Sequence, residues 1–93
     1  MSYELIDPTI TAWAAKRQLH VHTIHHDDHV RSVNLVGSDG RKCQIWIDPP
    51  NQQGTVHVHV WDYCQRREDY KTVASDLDRC LEQAFQTGNR WIQ

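Results

Sequence analysis

The sequence predicts a two-layer α+β domain of order α-β-β-β-β-α: a four-stranded antiparallel meander with both helices on one face. Three observations carry that expectation. Four stretches between residues 19 and 62 alternate apolar and polar residues or are rich in β-branched ones. Turn-forming residues separate them. Helically spaced apolar residues lie before the first stretch and after the last. The 93 residues suit one domain, spanning 1–93, since the longest loop, Asp48-Pro49-Pro50-Asn51-Gln52-Gln53-Gly54, is too short for a linker. A chain of this size buries roughly 60–65% of the surface its unfolded form exposes, enough for one core.

The first element is a short helix over about residues 8–18. Asp7 supplies a capping carboxylate, Pro8 suits the first helical position, and Lys16 and Arg17 complement the dipole in the last turn. Strands follow at Leu19–His26, His29–Val36, Arg41–Ile47 and Thr55–Asp62. A long helix from Glu68 to Gln86 is expected from the spacing of Tyr70, Val73, Ala74, Leu77, Leu81, Ala84 and Phe85, with Gly88 as its C-terminal cap.

Strand register follows from burying one face, because a one-residue slip turns every side chain over. Ser38-Asp39-Gly40 gives a type I turn with glycine in the left-handed position, which sets Leu35 opposite Cys43 and Val33 opposite Ile45. Matching apolar sets places Ile45 and Ile47 against Val58 and Val56, and Leu19 and Val21 against Leu35 and Val33, with His26-Asp27-Asp28 as a loop. The expected core face is Leu19, Val21, Val33, Leu35, Cys43, Ile45, Ile47, Val56, Val58 and Val60.

The opposite face then carries three rows. His22, Ser32, Trp46 and His57 form one, His20, Asn34, Gln44 and His59 the next, and Val36, Lys42 and Trp61 the third. Two His-x-His units, His20-Val21-His22 and His57-Val58-His59, therefore share a helix-free face with two tryptophans. Trp13 is expected in the core of the first helix, and Trp91 either folded back or in a frayed C-terminal tail.

Composition narrows the function classes. Ten Lys and Arg against twelve Asp and Glu give a formal charge of −2, which supplies no net basic field for nucleic acid. Protonating all seven histidines would carry that charge to +5, so mildly acidic solution should alter behaviour. Cys43, Cys64 and Cys80 are odd in number and form no C-x-x-C pair, which favours reduced thiols over a disulfide framework or a zinc ribbon. The N-terminal residues Met1-Ser2-Tyr3-Glu4-Leu5 have neither a basic nor an apolar leader pattern, and no apolar run nears a membrane span. A cytoplasmic location is the expectation.

A strand His-x-His presents two imidazoles about 6–7 Å apart, a spacing that can serve one metal ion. In a meander the two units lie roughly 14 Å apart, too far for one tetrahedral site. Each unit would need other ligands, and no carboxylate or cysteine adjoins either, so polar positions on a solvated sheet are the simpler reading. His25-His26-Asp27-Asp28-His29 is the densest run of ligand types, and also ordinary hairpin-loop chemistry. Cys64 is the only thiol outside an apolar stripe, and nothing pairs it with a base. Phosphate-cradling glycine loops, G-x-S-x-G and H-E-x-x-H are all missing.

Arg31, Arg41 and Lys42 beside the tryptophans suggest single-stranded nucleic acid, with bases stacked on aromatics. The helix-sheet-helix order resembles a double-stranded-RNA-binding domain in element order only. The fourth strand and the unsustained charge of Arg66-Arg67-Glu68-Asp69-Tyr70-Lys71 separate the two, and no residue carries over. The expected function is a non-enzymatic binding module without a cofactor, using His20, His22, Trp46, His57, His59 and Trp61 to meet a protein partner or a second copy of itself. A transition-metal-binding protein (Zn, Ni or Cu) through the His-x-His pairs is the first rival, and single-strand binding the second. Strand pairing at an edge would give a homodimer able to bring two His-x-His units together.

Overall fold

The computed structural model describes residues 3–23 and 30–93. Helix α1 (Asp7–Lys16) carries Pro8 in its first turn, where a missing N–H costs nothing. Ile6, not Asp7, holds the N-cap position, and Asp7 instead forms a bidentate pair with Arg31 at 2.8 and 3.0 Å. The helix ends in a left-handed residue, Gln18 (φ 58°). Leu19 N–H donates to the Ala14 carbonyl and Gln18 N–H to that of Ala15, the paired bonds of a Schellman ending.

Strands β1 (Arg31–Val36), β2 (Lys42–Ile47), β3 (Thr55–Trp61) and β4 (Arg67–Val73) form an antiparallel sheet in sequential order. A 3₁₀ turn at Ala74–Asp76 leads into α2 (Leu77–Ile92). The α+β class, the α-β-β-β-β-α order and the packing of the helices on one face are as the sequence predicts. Between β1 and β2, Leu35 faces Cys43 and Val33 faces Ile45, joined by a turn in which Gly40 takes φ +85°.

Three expectations are corrected. Of the predicted first strand, Leu19–His26, the described residues 19–23 contribute an isolated bridge between His22 and Ser32, and those from Ile24 onward, with the His25–His29 run and the His26-Asp27-Asp28 loop, lie outside the described residues. Leu19 is engaged in the ending of α1 instead. The β2–β3 register is shifted by two: Ile45 faces Val60 and Ile47 faces Val58. The ladder continues past Ile47, with Asp48 bonded to His57 and then Asn51 to Thr55. That step uses three residues on one side and two on the other, so Pro49-Pro50 sits in a bulge that tolerates missing donors.

The third correction concerns residues 68–76, read as helix from the spacing of Tyr70, Val73 and Ala74. They form β4 and the 3₁₀ turn, and the helical register starts at Leu77 and runs to Ile92, taking in Trp91. Gly88 is therefore inside α2 rather than beyond it. A Cβ there would lie 2.9 Å from both Cys43 Sγ and Leu35 Cδ1, so its lack of a side chain lets the helix approach the sheet.

The core joins Ile6, Ile10 and Trp13 of the N-terminal segment to Leu77, Leu81 and Ala84 of α2 and to the inward strand residues. Eight of the ten expected core-face residues are buried, while Leu19 and Val21 are half-buried at its margin. Trp13 is buried edge-on to Phe85, its Nε1–H donating to Glu82 Oε1 at 3.0 Å. Arg17 forms a bidentate pair with the same carboxylate, and this tightens the α1–α2 contact.

Candidate functional site

Alternation places the same set of residues on the helix-free face that the sequence predicts, but in different rows. Crossing the sheet from its bridge-bearing edge, one row reads His22, Ser32, Trp46, His59, Asp69. The next reads Asn34, Gln44, Trp61, Arg67. The two-residue shift of β3 thus sets His59, not His57, beside Trp46, and sets Trp61 beside Gln44 instead of Lys42.

His59 is the centre of the arrangement. Its Nδ1 lies 2.6 Å from Asp69 Oδ1 and its Nε2 2.8 Å from Asp48 Oδ2. A neutral imidazole would donate to one of these carboxylates and an imidazolium to both. The ring stacks on Trp46 with centroids 4.6 Å apart and planes 21° apart. Arg67 lies over the same indole, 5.2 Å from its centroid, and its Nε–H donates to Asp69 Oδ1. The His59 bond, reinforced by Arg67, holds the Asp69 carboxyl below the usual carboxylate range despite some desolvation.

Trp61 packs against Tyr63 with ring centroids 4.7 Å apart. Tyr63 has φ +67°, a left-handed backbone costly for a bulky residue, and its hydroxyl reaches past β2 to donate to Asn34 Oδ1 at 2.6 Å. The turn holding it is built by Asp62, whose Oδ1 accepts N–H bonds from Cys64, Gln65 and Arg66. A groove of about 550 Å³ is lined by Ser32, Gln44, Trp46, Trp61, Gln65 and Arg67, among others. Ser32 and Gln44 are buried and form its floor.

The other candidates fall elsewhere. His57 is parallel to His59 at 6.4 Å between centroids, a stack and not a chelating pair. His20 and His22 are exposed, with rings 4.6 Å apart. Among the described residues, no three His, Cys, Asp or Glu side chains are grouped to hold a metal ion. Arg31 faces the helix layer, over the Tyr3 ring and paired with Asp7, and Arg41 engages Asp39 and the Gln93 carbonyl. Neither flanks the tryptophans, so only Lys42 of the three expected cations lies on their face. Cys43 and Cys80 are buried, and burial pushes the Cys43 thiol up to about 11 and raises that of Cys80. Cys64 is exposed.

Asp48, Arg67, Asp69, Gln44, Gln65 and Tyr63 belong to the site beyond the six predicted residues. Period two through Arg67-Glu68-Asp69-Tyr70-Lys71-Thr72-Val73, and Asp62 as a turn-former, were the available signals. Against known protein families, curated proteins and solved structures, the chain has no match. Among the described residues, no helix is long and apolar enough to cross a membrane.

Proposed function

We propose that this protein is a non-enzymatic binding module that meets a protein ligand on its open sheet face, with His20, His22, Trp46, His57, His59 and Trp61 contributing and the tryptophan groove as the anchor. The groove carries this reading: two half-buried indoles beside buried Ser32 and Gln44 on a face that no described helix covers. Tryptophan and arginine are enriched where interfaces concentrate their binding energy. The polar groups beside the groove already engage one another, Arg67 paired with Asp69 and His59 hydrogen-bonded to Asp48 and Asp69. The ligand that fits is an uncharged extended segment, giving apolar groups to the indoles and main-chain amides to Gln44 and Gln65. Three free cysteines suit a reducing compartment, and the cytoplasm is the proposed location.

The test is selection from a random peptide display library against the folded chain, followed by affinities for Trp61→Ala. Loss of at least about tenfold, roughly 1.4 kcal/mol, supports the reading. Selected peptides indifferent to Trp61 and Gln44, or none selected above background, overturn it.

A second reading, transition-metal binding, draws on the closeness of the exposed His20 and His22 rings. A calorimetric Zn²⁺ titration decides it: saturable binding lost in His20→Ala/His22→Ala supports a site, and its absence in the wild type retires the idea. Single-stranded nucleic acid has less support, since the Trp46 ring already carries His59 and Arg67.

A further inference from the structure

The sheet ends at β4, so one edge of that strand meets no other strand among the described residues. Asp62 N–H donates to the Arg66 carbonyl at 3.1 Å, making 62–66 a hydrogen-bonded pair of the β3–β4 ladder. Such pairs alternate with non-hydrogen-bonded ones. Along the observed register Val58–Tyr70 is then hydrogen-bonded, and the main-chain groups of Arg67, Asp69, Lys71 and Val73 point away from β3.

The geometry points to a second copy of this chain as the occupant of that edge, β4 pairing antiparallel with β4 about a two-fold axis through Tyr70. Charge and main-chain direction select this register from its neighbours. Centred on Asp69, the pairing sets that carboxylate against its own copy, and centred on Lys71 it opposes two ammonium groups, both unfavourable. Centred on Tyr70, Asp69 faces Lys71 of the partner subunit, Glu68 faces Thr72 of the partner subunit, and Arg67 can lay its stem over Val73 of the partner subunit. Every outward main-chain group of β4 then finds a hydrogen-bond partner. Tyr70 meets its copy as a non-hydrogen-bonded pair on the helix side, with Cα atoms about 4.5 Å apart.

Edge charges ordinarily deter strand addition. Here Arg67, Glu68, Asp69 and Lys71 mix signs, so the pairings centred on Asp69 and Lys71 oppose like charges while the one centred on Tyr70 joins opposite ones. His59 and Arg67 both engage Oδ1 of Asp69, and the carboxylate has a second oxygen for Lys71 of the partner subunit. The product is an eight-stranded antiparallel sheet. It carries both tryptophan grooves on one face, with the His-x-His units of β3 one strand in from the seam. The inference does not depend on what the grooves bind.

Sedimentation equilibrium of the reduced full chain, from micromolar to about 1 mM, tests it by mass action. The expected result is a weight-average mass rising to twice that of the chain, weakened by salt because the Asp69–Lys71 contacts are exposed. Lys71→Glu, folded by near-ultraviolet circular dichroism, should weaken association at least tenfold. Tyr70→Cys in a Cys64→Ser background reads the register directly. A thiol on the two-fold should link to its copy under oxidised glutathione, whereas Lys71→Cys in the same background should not, since it faces Asp69 of the partner subunit. A monomer throughout overturns the inference. So does a dimer that Lys71→Glu leaves intact and Tyr70→Cys fails to trap.

Discussion

Asp69 shows how one exposed carboxylate can organise a face. It is the acceptor shared by His59 and Arg67, and those two side chains both lie against Trp46. Its folded carboxyl titrates below the ordinary range, so the stabilisation it contributes is present above that range and lost as pH falls through the lowered value. Asp69→Asn should therefore be less stable than wild type at neutral pH, by under about 1 kcal/mol because the side chain is half exposed and screened. The gap should close on acidification, as urea titrations across that window would record. Gly88 works by absence. Gly88→Ala gains helix propensity of about 1 kcal/mol but pushes a methyl into Cys43 and Leu35. Overpacking at a site this tight costs typically 1–3 kcal/mol, so the net expected in denaturant melts is loss.

Among the elements, the β3–β4 hairpin decides the site. Its connection has neither glycine nor proline and rests on Asp62, which gathers three N–H groups while Tyr63 takes a left-handed conformation. Asp62→Ala should lower stability modestly in denaturant melts, leaving those donors to water and loosening the turn. It should also disturb the groove, because Gln65 and Arg67 follow directly, and amide shifts at Trp61 and Trp46 indoles in two-dimensional NMR would report that. The two-residue shift belongs to the other connection, where the Pro49-Pro50 bulge takes three residues against two, and the Asp62 turn sets β3 against β4.

For the molecule as a whole, the two helices and the sheet share one core, so stability is lost cooperatively. Trp13 is the largest buried side chain and also spans to Glu82 of α2. Trp13→Ala should cost about 3–5 kcal/mol, a large share of the 5–15 kcal/mol typical of a domain. Thermal unfolding should shift far downward, with α1 detached in the limiting case. The open face contributes little to that core. Substitutions at Trp61 should accordingly alter binding more than folding, in line with its half-buried setting.

Burial alone made much of the fold legible. Alternation at Val33, Leu35, Cys43, Ile45, Ile47, Val56, Val58 and Val60 marks one face whatever the exact pairing, because a shift of two keeps every side chain on its side. For the same reason, the helix-free face of Trp46, Trp61, His57 and His59 could be read from the chain. Which of those side chains touch could not. Neighbours across a sheet depend on register, and register here rests on the Pro49-Pro50 bulge and the Asp62 turn, whose effects propagate through the ladder. Residues 68–76 misled because Tyr70, Val73 and Ala74 fit a helical spacing locally, while pairing of residues 68–73 with β3 supplied the stronger hydrogen-bonded partner. The sequence by itself determined the class, the three strands between residues 31 and 61 and the two faces, since these follow from period and polarity. Only the tertiary structure decided that His59 joins Asp48 to Asp69 beneath Arg67 and Trp46, because that contact requires three strands brought into one register.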